Sequence, residues 1–311
     1  MSGRRALLVT SLGLSGGAIA GRWLAVGNEI AEIWYRESSG ISGRERRMAR
    51  YAPRWSVLYH ARRHGIALRP VSRLATWDGA AEAARASGAD VLISAHFHYV
   101  VPPDVLAVFG ERAVNFHPAL LPRYRGPIPV VAMIANGEFA TEAGVTAHVM
   151  TAGLDEGPII ARRRLDDPLS LDSFALALAV ARAETDLLCG PVADYLDGRL
   201  EPFAQDEAQA SYFRLEDIDS TGLGRHFDAK ETEWRCRFFS TGPGTRVEGG
   251  KIVFGFGGRI GPPSGAPLLR RGGAIEFDCA DARVRAYVKR PWTRQWNRIR
   301  NTWRLMRAPA P

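Results

Sequence analysis

The stretch at residues 114–160, VNFHPALLPRYRGPIPVVAMIANGEFATEAGVTAHVMTAGLDEGPII, constrains the fold more than any other part of the chain. Residues 113–116 form a short apolar run, which reads as a strand end. Alternation along a strand then puts Asn115 and His117 on one side, pointing the same way. Pro118 and Pro122 rule out a continuing central strand, so the chain leaves the sheet here as a loop, where sites tend to sit. A second strand at 145–150 and a turn marked by Gly153 and Gly157 bring a carboxylate, Asp155, to the same edge. An amide, an imidazole and a carboxylate together suit acyl transfer without a covalent intermediate. The imidazole serves as general acid or base, the amide donates to a developing oxyanion, and the carboxylate sets the imidazole's charge state. No activated Ser or Cys is evident nearby. Taken singly, Asn115 is as well read as a turn residue, His117 as an edge histidine and Asp155 as a cap.

These residues resemble the folate-dependent formyltransferases. The motif of that family is Asn-x-His-x-x-Leu-Leu-Pro-x-Tyr-Arg-Gly, followed by Gly-Val-Thr-x-His and Leu-Asp-x-Gly-x-Ile. The chain matches it at Asn115, His117, Leu120, Leu121, Pro122, Tyr124, Arg125, Gly126, Gly144, Val145, Thr146, His148, Asp155, Gly157 and Ile159. The resemblance implies an α/β fold with a Rossmann-like, open, mostly parallel sheet. It also implies 10-formyltetrahydrofolate as formyl donor and Asn115, His117 and Asp155 as the catalytic trio. By the same resemblance, the segment after the strand at 90–95 wraps the folate, which assigns His96, Phe97, His98, Tyr99 and Val100 to the donor with Leu120, Leu121 and Asp155. Ser11, Gly13, Tyr124, Arg125, Gly126 and His148 fall to the acceptor side.

The first third of the chain alternates as an α/β domain should. Residues 6–10 read as a strand, 11–17 as a Gly/Ser loop, 18–25 as a helix and 30–35 as a second strand. Gly13, Gly16 and Gly17 do not form Gly-x-Gly-x-x-Gly, and no acidic residue sits where a ribose would need one, so a tight strand-to-helix turn is the better reading. The basic segment 44–64 reads as a solvated helix, with contact between its arginines and an anionic substrate as the alternative. Residues 77–87 read as a helix, 90–95 as a buried strand, 158–164 as another strand, and 171–196 as a long helix capped by Asp172 or Ser170. His96 and His98 would share a strand face, but two ligands without a third make no zinc site, and no metal is expected. The polar segment 198–210 reads as a linker. These elements divide the chain into a catalytic domain at 1–200, a small β-rich domain at 201–283 and a basic tail at 284–311.

The formal net charge of +8 is located rather than general. After Asp281 the chain carries nine Arg and Lys residues and no acid, so the remainder is close to neutral. In the tail, Trp292, Trp296, Ile299 and Trp303 fall on one helical stripe. That stripe is expected to dock on the protein or on a dimer mate; an anionic membrane surface or RNA are the sharper options. Three widely spaced cysteines, Cys189, Cys236 and Cys279, form no framework. With an apolar run at the start too short for a signal peptide, they fit a reducing cytoplasm.

The acceptor separates the branches of the family. The strand GVTAHVM carries His148, as is usual in the sugar and glycinamide branches, and SAHFHYVVP resembles the aromatic-rich loop of the sugar branch. Both lean towards a small, nucleotide-linked amine and away from methionyl-tRNA. Ala132 stands where the family usually has Trp, which leaves the shape of the acceptor side open. A hydrolase of the same folate and a silent binding protein are the remaining alternatives. In the expected mechanism a neutral amine attacks the formyl carbon, Asn115 and His117 stabilise the oxyanion, and Asp155 raises the imidazole pKa.

Overall fold

The computed structural model describes residues 3–37, 41–97, 99–214, 222–223, 227–239, 245–247, 251–253, 255–288 and 291–309. Its centre is a seven-stranded sheet. The strands are β1 (Arg5–Thr10), β2 (Glu29–Arg36), β3 (Ala67–Val71), β4 (Val91–Ala95), β5 (Ala113–His117), β6 (Gly144–Val149) and β7 (Ile159–Arg164), in the order β3-β2-β1-β4-β5-β6-β7. The first five run parallel; β6 is antiparallel to β5, and β7 is antiparallel to β6. β4 is buried at every position, as a central parallel strand covered on both faces must be. The strand order reverses beside β1, so the carboxyl ends of β1, β4 and β5 frame the crevice where open α/β sheets bind ligands.

The helices cover both faces: α1 (Leu14–Ala25), α2 (Gly43–Tyr51), α3 (Val57–His64), α4 (Ala80–Ala86), α5 (Pro103–Phe109), α6 (Pro129–Ala135), α7 (Phe139–Glu142) and α8 (Ser173–Leu187). A π-helical turn at Leu188–Val192 carries α8 into α9 (Ala193–Leu196). Helix α1 starts at Leu14, earlier than a Gly/Ser loop at 11–17 would allow. A Cβ on Gly17 would lie 2.1 Å from the Trp55 carbonyl oxygen, so this glycine lets the first turn of α1 press against the neighbouring backbone. The basic segment is not one helix either. Pro53 opens a 3-10 turn at Pro53–Trp55 that separates α2 from α3, and the buried Glu45 ties the two together by accepting from the Ser56 hydroxyl and the Leu58 N–H. Asp172 caps α8, its side chain accepting from the Ala175 N–H at 2.7 Å.

Beyond residue 200 come α10 (Ala229–Phe238), α11 (Pro291–Arg307) and two small sheets. One has the order β10 (Lys251–Val253), β9 (Thr245–Val247), β8 (Gly222–Leu223). The other is antiparallel, with the order β11 (Gly255–Gly261), β14 (Arg283–Tyr287), β13 (Ala274–Asp278), β12 (Leu269–Arg271). Helix α10 is latched to the large sheet's helices. Trp234 and Phe238 pack on Phe139, and the Arg235 guanidinium is 1% exposed, donating to the Ile134 carbonyl at 2.7 Å and to Glu231 at 2.8 Å. Segment 198–210 does not behave as a linker: Phe203 exchanges two backbone hydrogen bonds with Ile159 at the start of β7.

Removing the buried guanidinium leaves a void and takes the shorter of two donors from the Ile134 carbonyl, which keeps the Gly137 N–H at 3.3 Å. Arg235→Ala is expected to cost about 2–4 kcal/mol, read as a lower urea midpoint with an unchanged m-value; a midpoint like that of the wild type would show that this latch carries no stability.

Candidate active site

Register brings the first two site residues together. Strand β5 pairs antiparallel with β6 so that Asn115 stands opposite His148 and His117 opposite Thr146. Across the first pair, the Asn115 amide donates to His148 Nε2 at 3.1 Å, while His148 Nδ1 donates to the Val149 carbonyl at 3.0 Å. The second bond fixes the tautomer that makes Nε2 an acceptor. His148 is 2% exposed and lies among these buried groups. Sequence placed it against the acceptor; the structure has it seating Asn115.

Asp155 arrives from the turn after β6. It holds a left-handed backbone (φ 57°) and is 8% exposed. Its Oδ2 accepts from the Gly126 N–H at 2.9 Å and lies 3.5 Å from His117 Nδ1; its Oδ1 lies 3.5 Å from both Asn115 Nδ2 and His148 Nε2. Gly157 closes the turn, since a Cβ there would sit 1.8 Å from the Val149 carbonyl oxygen. Gln205 secures it from outside, donating at 2.8 Å to the carbonyls of both Asp155 and Gly157. Thus Asn115, His117 and Asp155 do meet.

The charge states differ from expectation. Burial dominates His117 and, despite the attraction of Asp155, pushes its pKa below the ordinary imidazole value. Asp155 was expected to raise it; at 3.5 Å, and with the ring 4% exposed, desolvation wins. The neutral ring uses Nε2–H to donate to the Tyr124 carbonyl at 2.8 Å and turns Nδ1 to the carboxylate. For Asp155 burial works upward, but the neighbouring imidazoles of His117 and His148 and the Gly126 N–H outweigh it and hold the carboxyl down at about 2.

Three residues assigned to the acceptor instead support the site. Tyr124 is buried, stacks on Phe213 and donates its hydroxyl to Glu138; burial and that bond push its phenol up to about 12. The Arg125 guanidinium is held by Gln205 and Glu207. Gly126 at φ 105° lends its N–H to Asp155, and a Cβ there would meet the Tyr212 ring at 2.9 Å. Leu121, assigned with Leu120 to the folate, is fully buried with its N–H on the Thr146 hydroxyl, and Leu120 packs against Gly144. Ala132 is also fully buried; Val130 is the α6 side chain that faces the crevice.

A cavity of about 360 Å³ opens at the carboxyl ends of β1, β4 and β5. Its polar lining includes Ser11, Gly13 and Ser15 around the start of α1, Arg44 from α2, Ser173 from α8 and His96; its apolar wall includes Pro118, Val130, Leu176, Val180 and Phe238. The Ser11 hydroxyl is buried without a partner. His96, assigned by sequence to the folate segment, turns its ring into this cavity and bonds the fully buried Glu184 at 2.9 Å. Burial opposes its charge, but Glu184 prevails and raises its pKa. Arg44, read as part of a solvated face, lines the cavity too. Phe97 and Tyr99 pack edge to face, and the segment leaves Val100 55% exposed. Leu154, next to Asp155, is 40% exposed. His98 lies outside the described residues. Sequence reasoning missed Ser15, Glu184, Gln205 and Glu207: none sits in a motif, and only the long polarity of 198–210 hinted that the segment had partners.

Residues 36–189 match the family model described as formyl transferase. Among curated relatives, the methionyl-tRNA formyltransferase of Synechococcus sp. (strain JA-3-3Ab) is 32% identical over 192 residues, 62% of this chain and 59% of that protein. That of Myxococcus xanthus (strain DK1622) is 32% identical over 205 residues, covering 65% of each. The chain therefore spans about three fifths of the length of these relatives. Among solved structures, an N-formyltransferase from Helicobacter canadensis, in complex with folinic acid and dTDP-3-aminofucose, superposes with a TM-score of 0.65 at 16% identity, over 93% of this chain and 100% of that one. A 4-N formyltransferase from Francisella tularensis gives 0.57 at 18% identity, over 80% and 95%. At these identities the likeness is one of fold.

Because His117 is neutral when folded and titrates normally when unfolded, acidification charges the unfolded chain first. Its stabilising contribution is therefore present above the ordinary imidazole value and declines as pH falls through about 6.5. Urea midpoints should fall from about pH 7 to pH 5, and part of that fall should vanish in His117→Asn. In Asp155→Asn, nitrogen NMR should show the His117 pKa lower still; a rise would mean the carboxylate does not act on the ring.

Proposed function

From the formyl transferase domain that this chain carries over residues 36–189, we propose an activity: transfer of a formyl group from 10-formyltetrahydrofolate to the primary amine of a small anionic acceptor, a nucleotide-linked amino sugar. The observation that carries the reaction is Asp155, an ionised carboxylate buried within 3.5 Å of His117, His148 and Asn115. When bound, 10-formyltetrahydrofolate supplies an activated formyl carbon. The flat, partly aromatic donor suits the edge-to-face pair Phe97 and Tyr99 and the exposed apolar side chains of Val100 and Leu154.

The chain's residues then divide the work. The Asn115 amide, held by His148, donates to the oxygen that gains negative charge as the amine adds. His117 begins neutral and accepts a proton at Nδ1, where Asp155 faces it, while Nε2–H stays on the Tyr124 carbonyl. Protonation creates an imidazolium between a carboxylate and a carbonyl, so the charge that burial disfavours at rest is stabilised as the reaction proceeds. When the adduct collapses, His117 returns the proton to the donor nitrogen as the bond from that nitrogen to the formyl carbon breaks, and tetrahydrofolate leaves with the ring neutral again. The Gly126 N–H keeps Asp155 ionised throughout.

The acceptor reading rests on the cavity. The unpartnered Ser11 hydroxyl, the start of α1, Arg44 and the Glu184-held His96 make one pole that favours negative charge, such as a phosphate. Val130, Leu176 and Val180 make a dry wall opposite. A second reading, methionyl-tRNA as acceptor, is favoured by the names of the curated relatives at 32% identity.

Tetrahydrofolate release is to be followed with nucleotide-linked amino sugars beside charged tRNA; turnover with tRNA alone would replace the first reading by the second. Asn115→Ala, His117→Ala and Asp155→Ala should each lose about 10²–10⁴ in turnover while keeping a wild-type circular dichroism spectrum. Near-normal turnover in any one would remove that residue from the reaction. Arg44→Ala should raise the acceptor KM about tenfold at unchanged kcat; an unchanged KM would separate Arg44 from the acceptor.

A further inference from the structure

Over its described side chains, from residue 299 on, helix α11 touches the body along one side. Leu305 is 5% exposed and joins a cluster with Leu14, Met48, Trp55 and Phe174. One residue earlier, Arg304 donates to Asp172 at 2.7 Å and lies over the Phe174 ring. At about 100° per residue these positions define an inner face. Ile299, Trp303 and Met306, spaced i, i+4 and i+7, stand on the opposite side and are 57%, 51% and 57% exposed. The stripe expected to dock on the protein thus faces outward at its described positions. Trp292 and Trp296 share its register in the sequence. Arg300 and Arg307 flank it, both exposed, with Arg307 stacked 3.7 Å above Trp303.

We propose that this outer face of α11 is a peripheral anchor for an anionic lipid surface. Charge selects the sign of the partner: α11 itself carries five arginines and no acid, and of those whose side chains are described only Arg304 turns inward to Asp172. The apolar stripe selects its kind. Phosphates alone would leave Ile299 and Met306 in water, whereas the headgroup and acyl boundary takes aliphatic and indole groups below a fringe of arginines. No helix among the described residues is long and apolar enough to cross a membrane, so α11 lies on the surface. The ion pair to Asp172 and the burial of Leu305 hold the helix by its inner side, leaving the outer side free to insert. Asp172 and Phe174 flank Ser173, a residue of the cavity wall, so the anchor rides on the same end of α8 that lines the site.

The test is sedimentation of the full chain with vesicles of phosphatidylcholine mixed with phosphatidylglycerol, with phosphatidylcholine alone, and with single-stranded RNA in a parallel gel shift. The chain should partition onto the anionic vesicles and not the zwitterionic ones, with a blue shift of tryptophan emission. The triple variant Ile299→Asp, Trp303→Asp, Met306→Asp should bind about 100-fold more weakly, and Arg300→Glu with Arg307→Glu about tenfold. These residues are exposed, so fold and formyl transfer should survive in both. No partition onto anionic vesicles, or partition indifferent to the triple variant, would overturn the anchor. So would RNA binding without lipid binding, which would make the face a nucleic-acid contact, or a concentration-dependent dimer abolished by the triple variant, which would make it a contact between copies.

Discussion

A carboxylate taken out of water must be held by something, and how Asp155 is held organises this protein. Its Oδ2 takes the Gly126 N–H, and its own backbone sits in the left-handed region. Its carbonyl and that of Gly157 are gripped by Gln205. Each of these is a fixed donor or a fixed bend, so the charge cannot relax away from the two imidazoles and the amide around it. Much of the surrounding architecture serves that purpose. Arg125 is clamped by Gln205 and Glu207, and its N–H bonds the Ser211 carbonyl, so the returning segment 203–213 and the loop after β5 brace one another.

This arrangement makes a site with charge in reserve. At rest, burial keeps His117 from becoming the counter-ion of the Asp155 anion. A proton arriving on the ring completes an ion pair in a place of low dielectric. The gain then falls on the state in which the proton has moved, which is what separates a catalytic site from a stable ion pair. Asn115 is prepared by the same economy: His148 is committed to the Val149 carbonyl, accepts from the amide, and so sets which way it points.

The crevice above the reversal of strand order collects groups far apart in sequence. Ser11 follows β1, His96 follows β4, Pro118 follows β5, Arg44 comes from α2 and Leu176 from α8. The His96 backbone is itself left-handed (φ 51°), which swings its ring from the sheet edge towards Glu184 and the cavity. Helix α11, fastened to Asp172 at the head of α8, adds an outer apolar and basic face to the same end of the molecule.

By itself the sequence determined what is local. Alternation and apolar runs marked β1, β2, β4, β5, β6 and β7, because burial on one or both faces writes itself into the residue pattern. Asn115 and His117 could be paired from a two-residue spacing, and Asp155 from the turn residues around it. Short-range patterns gave no sign of β3, of the break at Pro53 as a boundary between helices, or of Gly17 as a packing residue rather than a loop residue. Only the tertiary structure decided whether a polar side chain faces ligand or protein. Tyr124, Arg125 and His148 carry the same motif letters either way, yet Glu138, Gln205, Glu207 and Asn115 occupy them. It also decided the sign of the His117 shift, because desolvation depends on everything packed around the ring and a neighbouring carboxylate is only one term.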